Sequence, residues 1–428
     1  MQLKFPFALT GIIFVIQLSF GQNKPMVLVG ATAHLGNGKT IEHSAIGIEK
    51  GKISFVADAS TIRLNPIESS IINVEGKHVY PGFIAVNNIL GLTEVEAVRA
   101  TNDWNEVGSY TPHVRALVAF NPESKIIPTV RSNGILMVQS TPRGGVISGT
   151  SSIFTMDGWN WEDAVYKADD AIHINFPSWF NNSGWWAEPA ASEKNKEYEN
   201  QLKDLKKFFS EAKAYCTMAV QSEKNLRLEA MRGVFDGSKT VFVNADYSKE
   251  ILDIIQLKKD FSLPKITIVG GLDALSVVSA IQENNIPIVL NRLHELPNKS
   301  DAPIDQYFSL PKKLKDSNIL FCLNYKGGME AMGVRNLPFV AGTAAAYGLS
   351  KEEALASITL NAAKIVGIDN STGSIEAGKD ATLFVSAGDA LDMRTNKVEK
   401  AWIKGKEINL SNSQLELYEK YSQKLDLK

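Results

Sequence analysis

Short apolar runs separated by amphipathic stretches fill the middle of the chain. GILMVQS at 134–140, AIHINFP at 171–177, TVFVNAD at 240–246, KITIVGG at 265–271, IPIVLNR at 286–292 and NILFCLN at 318–324 are nearly unbroken apolar segments of strand length. Pro81–Asn88 and the run near Val146–Thr155 bring the set to eight. Between them, Tyr198, Leu202, Leu205, Phe209 and Ala212 recur on one face of a predicted helix. SKEEALASITLNAAKIVG at 350–367 predicts further helix, opened by a capping box of Ser350 and Glu353. Strands that are apolar on both faces and alternate with helices predict parallel β/α units, and eight units predict a closed α/β barrel. An open doubly wound sheet would show the same alternation.

The two ends of the chain have a different texture. From Lys24 to Asp58, short β-rich runs alternate with Gly-Asn-Gly and Lys-Gly-Lys turns, which predicts the strands of a small antiparallel sheet. The same texture returns from Gly373 to Leu410. Strands at both ends predict one composite β domain, built from 22–80 and 366–410, around a barrel at 81–365. That arrangement favours the barrel over the open sheet. A Ser-x-x-Glu box at Ser413 and Glu416 opens a predicted terminal helix over 411–428, with Leu417, Tyr418, Tyr421 and Leu425 at helical spacing.

Composition adds exclusions. The 428 residues are 44% hydrophobic and 21% charged, with a formal net charge of −2. No basic stripe is present to neutralise phosphates, so nucleic acid is not an expected partner. The basic start MQLK leads into the apolar FPFALTGIIFVIQLSFG, which is shorter than the roughly 20 residues of a spanning helix. Small residues, Ser19 and Gly21, precede Gln22. Residues 1–21 are therefore expected to be a signal peptide, the mature protein periplasmic or extracellular, with no stable membrane insertion after cleavage. The two cysteines, Cys216 and Cys322, read as small core residues, and their pairing is left open.

Three segments carry a resemblance to a known family. PGFI at 81–84, RNLPFVAGTAAAYGLSKEEALASITLNAAKIVGI at 335–368 and GSIEAGKDATLFV at 373–385 are similar, in order and spacing, to segments of the amidohydrolase superfamily, specifically its imidazolonepropionase-like branch. The resemblance covers nearly the whole mature chain. It implies a metallo-dependent hydrolase fold: a (β/α)8 TIM barrel with a small composite β-sandwich domain. It also implies one or two divalent metals at the barrel mouth, held by a His-x-His pair on strand one, histidines on strands five and six, and an aspartate on strand eight. Such ligands donate lone pairs to zinc at about 2.0–2.2 Å and lower the bound water's pKa to about 7.

Carried over by motif, those positions fall on Asn87 and Ile89, on Asn244, on Gly270 and on Asn324. None is a histidine or carboxylate. The expectation is an exported amidohydrolase-family protein without the usual metal, a pseudoenzyme that binds a small molecule or a partner, either its own copy or a catalytically complete relative. No cofactor is expected, and zinc or another divalent metal only if the site has been rearranged. The alternative is a working hydrolase of non-peptide C–N bonds with His294, Asp246 and Asn87 as its groups. Ligand contacts are sought among Asn87, Asn244, Arg292, His294 and Asn324, and in Trp185 and Trp186 of the tryptophan-rich stretch WFNNSGWWAEP. His173 reads as a satisfied core residue. PRGG at 142–145 and KGG at 326–328 read as tight turns or as anion-binding backbone.

Overall fold

A computed structural model describes residues 24–183, 191–218, 223–297 and 302–425. Eight strands form one sheet in chain order: β1 (Phe83–Asn88), β2 (Ile135–Ser140), β3 (Ile147–Thr155), β4 (Val165–Asn175), β5 (Thr240–Ala245), β6 (Ile266–Gly270), β7 (Ile288–Leu290) and β8 (Phe321–Leu323). Each contributes a buried apolar residue to a single cluster: Ile84 and Val86, then Met137, Ile153, Ala171, Phe242, Val269, Val289 and Cys322. That cluster fills the barrel lumen, and Ala362, Ile365 and Val366 of the helix Leu360–Val366 close its lower end. A second, larger cluster lies between the strands and the outer helices, which explains why the strands are apolar on both faces.

Two features depart from eight parallel repeats. β3 runs antiparallel to both β2 and β4, while every other pairing in the sheet is parallel. The ring also closes without a ladder between β8 and β1 among the described residues. The seam is bridged instead by Asn324 Nδ2 donating to the carbonyl of Asn87 at 3.2 Å and Asn88 Nδ2 donating to the carbonyl of Tyr325 at 3.2 Å. Lower down, the amide of Ile84 donates to the carbonyl of Ile358 at 2.9 Å.

Besides a two-stranded ribbon of Phe180–Ser183 and Ala191–Lys194, two further sheets come from the chain ends. Met26–Val29, Ser44–Glu49, Lys52–Asp58 and Ser70–Asn73 form a four-stranded sheet, and a six-stranded one joins Thr32–His34, Thr40–Ile41 and His78–Pro81 to Leu383–Ser386, Val398–Ile403 and Lys406–Glu407. The expected purely antiparallel sheet is thus two mixed ones, because Met26–Val29 pairs parallel with Ser70–Asn73 and Thr32–His34 parallel with His78–Pro81. Leu28, Ile46, Val79, Leu383 and Trp402 share the core between them.

Local signals acted as expected at Ser350, whose hydroxyl accepts from the amide of Glu353 while the Glu353 carboxylate accepts from the amide of Ser350. The terminal helix, Ser413–Lys424, corrects its expected cap. Asn412 precedes it and accepts from the amide of Leu415 at 3.0 Å, so Ser413 is the first helical residue. Its Leu417, Tyr418 and Tyr421 face solvent. Both cysteines are free, Cys322 in the lumen and Cys216 part-buried. The expected signal peptide lies outside the described residues. No helix among them is long and apolar enough to cross a membrane.

Candidate functional site

The lumen's apolar packing ends in amides at the upper ends of the strands. Asn87 is in β1, Gln139 in β2 and Asn244 in β5, while Asn291 and Asn324 directly follow β7 and β8. Asn87 has a left-handed backbone, φ 53°, a conformation that asparagine tolerates better than most residues. The β1–β2 register shifts between Ala85 and Asn88, so Asn87 escapes the regular alternation of the strand. Ile89, two residues on, packs into the layer between strands and helices rather than into the mouth.

Two part-buried cations hold these amides. Arg143, in the connection from β2 to β3, donates Nη1 to Asn87 Oδ1 at 2.9 Å and Nη2 to the Asn87 carbonyl at 2.8 Å. The same guanidinium donates to Glu330 Oε1 at 2.5 Å, with both side chains largely out of solvent. Burial pushes the Glu330 carboxyl above its ordinary range, against the pull of Arg143. Lys326, in the loop after β8, donates Nζ to Asn244 Oδ1 at 3.1 Å. Burial pushes its ammonium down, Arg143 adds to this, and Glu330, Asp246 and Glu295 oppose it. Asn244 Nδ2 donates to the carbonyl of Ile174 at 3.2 Å, and Asn324 Oδ1 accepts from the amide of Tyr325 at 2.7 Å. Each of the three asparagine oxygens at the expected metal positions is therefore already taken by a donor of this chain.

Asp246 follows β5, and its Oδ1 is buried with no partner among the described residues. Burial pushes this carboxyl up to about 6, while the amide of Leu272 and the charge of Lys326 pull it down. Gly270 stands beside it at φ 104°, and a Cβ there would lie 2.3 Å from Asp246 Oδ1. The strand-six position carries no side chain because the Asp246 carboxyl occupies that space.

Deeper in the barrel, Asp170 accepts from Ser151 Oγ at 2.7 Å and from Gln139 Nε2 at 2.7 Å, and Gln139 Oε1 accepts from the amide of Asn87 at 3.0 Å. His173 Nε2 meets Ser151 Oγ at 2.8 Å. The hydroxyl gives its proton to Asp170, so the imidazole carries its own on Nε2 and leaves Nδ1 as an acceptor without a partner among the described residues. His173 is thus only half satisfied, and burial holds it well below its ordinary pKa. Serine, histidine and aspartate meet here in the wrong order for nucleophilic catalysis. The serine proton points to the carboxylate instead of the imidazole.

Other predicted residues lie apart. His294 Nε2 meets Thr343 Oγ1 at 2.8 Å, on the outer helix Leu337–Ala346, so the ring packs toward the barrel's exterior. Burial, with Arg292 nearby, lowers its pKa. Arg292 remains at the mouth over the Tyr325 ring, 5.7 Å from its centre, with Glu295 at 3.7 Å. Trp185 and Trp186 lie outside the described residues. The glycines of PRGG and KGG make left-handed turns at Gly144, Gly145 and Gly327, yet the side chains that build the site are the neighbouring Arg143 and Lys326. Among the described residues, no three or more His, Cys, Asp or Glu side chains gather where they could hold a metal ion.

A barrel of this order, with sheets from both chain ends packed beside it, has the metallo-dependent hydrolase fold. The amidohydrolase from Thermotoga maritima shares it with a TM-score of 0.77 at 24% identity, over 90% of this chain and 99% of that one. An adenosine deaminase from Xanthomonas campestris with bound zinc shares it at 0.51 and 14% identity, over 93% and 98% of the two chains. The model of the amidohydrolase family matches residues 217–408. The imidazolonepropionase of Flavobacterium psychrophilum is 27% identical over 195 residues, 39% of this chain and 47% of that protein, so the match spans about half the relative's length. Residues 217–408, somewhat under half of the chain, are thus similar to the amidohydrolase family, and the fold is the one those structures share.

Proposed function

We propose that this protein is a non-catalytic member of the family that binds a small molecule at its barrel mouth, where Arg143 and Lys326 stand in place of a divalent metal. The observation that carries this reading is the engagement of Asn87, Asn244 and Asn324 by donors of the chain itself. A catalytic zinc needs about three protein ligands with free lone pairs. Each of these amide oxygens is neutral and already accepts from a protein donor, Ile89 and Gly270 have no ligand atom to give, and the cations Arg143 and Lys326 sit directly on Asn87 and Asn244. The residues present do not fit the metal.

Binding is supported by unpartnered polar atoms. Asn87 Nδ2, His173 Nδ1, Asp246 Oδ1, Asn291 Oδ1 and Arg292 Nε are all buried without a partner among the described residues, and all belong to the barrel strands or the residues just beyond them. Buried polar groups are normally paired, so such a concentration marks a place that a ligand completes. Export belongs to the same proposal, supported by the basic and apolar start of residues 1–21.

The test is metal retention. Protein incubated with zinc, manganese or iron and then desalted is expected to keep well below one ion per chain and to show no change in melting temperature. Stoichiometric, tightly held metal refutes the reading. One observation favours the alternative, a working C–N hydrolase: a buried carboxyl near 6 with a free oxygen is suited to general-base work. That alternative predicts amide or lactam turnover lost in Asp246→Asn, and the non-catalytic reading predicts no turnover at all.

A further inference from the structure

We propose that the molecule taken at the mouth is a small zwitterion with a primary ammonium and a carboxylate a few bonds apart, its ammonium held between Asp246 and Asn291 and its carboxylate by Arg292. This rests on the binding role proposed above and gives it a ligand class.

The strand register supplies the geometry. Ala245 pairs with Gly270 and Val269 with Val289, so continuing both ladders sets Asp246, Gly271 and Asn291 in one row at the rim. The amide of Gly271 donates to the Ala245 carbonyl at 2.8 Å, which keeps β5 and β6 together up to that row. Asp246 and Asn291 therefore straddle a strand whose rim residues are both glycine. The backbones of β5 and β7 lie about 10 Å apart, two strand spacings. Asp246 Oδ1 and Asn291 Oδ1, at the two ends of this row, are both buried acceptors without a donor among the described residues. An ammonium is the complement: three donors, no acceptor and one positive charge.

Arg292 follows Asn291 directly and offers the opposite chemistry. Its Nε is buried without a hydrogen-bond partner among the described residues, and its ion contact with Glu295 is a loose 3.7 Å. Gly327, at φ 129°, leaves space beside it, since a Cβ there would lie 3.5 Å from Arg292 Nη1. A guanidinium fork with a spare edge suits a carboxylate. The site holds charges of both signs: Arg143, Lys326 and Arg292 stand among Glu330, Asp246, Glu295 and Glu250. Each end of a zwitterion then meets an opposite charge, the ammonium at Asp246 and the carboxylate at Arg292, whereas a bare amine or a bare carboxylate uses only one of the two.

Calorimetric titration of the protein with glycine, L-alanine, L-leucine and β-alanine, compared with ethylamine, acetate and erythritol, tests this. At least one amino acid is expected to bind tenfold or more tighter than ethylamine and acetate, and to lose tenfold or more in both Asp246→Asn and Arg292→Gln. Circular dichroism establishes that the variants are folded, and the Asp246→Asn result decides if Arg292→Gln does not fold. Equal binding by ethylamine or acetate overturns the proposal, as does amino-acid binding indifferent to Asp246→Asn. If no amino acid binds but erythritol or another neutral or anionic compound raises the melting temperature, the zwitterion fails and the binding role stands. If nothing in a broad small-molecule set binds, both fail.

Discussion

Replacing Asp246 by asparagine should make the protein more stable at alkaline pH and leave it unchanged at acid pH. Burial lifts this carboxyl from its ordinary 3.8 to about 6 in the folded chain. At about 1.4 kcal/mol per tenfold change in proton affinity, the ionised form is about 3 kcal/mol less favourable in the folded than in the unfolded state. Because the folded pKa is the higher one, the group's contribution to stability is fully present below about 4 and is lost as the pH rises through about 6. The charged groups that face it are Lys326, which favours ionisation, and Glu250 and Glu295, which oppose it; the net effect is still upward. Asparagine is isosteric, keeps an oxygen for the amide of Leu272 and carries no charge to desolvate. Urea unfolding of wild type and Asp246→Asn should show the variant ahead by about 1–3 kcal/mol near pH 8, with the difference closing near pH 4. A variant less stable than wild type at pH 8, or a gain that ignores pH, refutes the reasoning. The first result would make Asp246 an anion held by Lys326 rather than one stranded by burial, and the second would place the gain in something other than its ionisation.

Other expectations follow from the same geometry. Arg143→Met leaves Glu330 buried without its partner and should cost about 3–5 kcal/mol, much of it recovered in the double variant with Glu330→Leu, as measured by a double-mutant cycle. Gly270→Ala sets a Cβ against Asp246 Oδ1 at a positive φ and should cost about 2–3 kcal/mol in thermal unfolding, less when Asp246→Gly has removed the clash. Ser350→Ala removes the cap of a helix far from the mouth and should cost about 1 kcal/mol by urea unfolding without altering ligand titrations.

Most of the barrel strands can be read in the sequence because burial on both faces leaves nearly unbroken apolar runs, as in GILMVQS and KITIVGG. The direction of β3 cannot: ISGTSSIFT is buried throughout although rich in serine and threonine, and its pattern looks the same whichever way its neighbours run. The terminal helix shows a similar limit, since Asn412 and Ser413 are both good caps and only the geometry chooses between them. At the mouth, the missing histidines are visible from motif spacing, but what replaces them is not. Arg143 lies 56 residues from Asn87, and Lys326 lies 82 from Asn244, distances over which sequence gives no signal of contact. PRGG and KGG draw the eye to their glycines, which explain the turns and not the charges.

The reversed strand has a consequence for how the mouth could have acquired its charge. A parallel repeat would lead from β2 out through a helix and back to the foot of the barrel, keeping its connection off the rim. Because β3 descends from the top, residues 141–146 make the turn at the mouth itself, and the amide of Arg143 is pinned there to the carbonyl of Trp104 at 2.7 Å. A single inversion of chain direction thus turns a peripheral crossover into a short tether carrying a guanidinium over the pore. The length of that tether, more than any ligand residue, fixes where the positive charge stands, and adding or removing one residue between Ser140 and Ile147 would move it off Asn87.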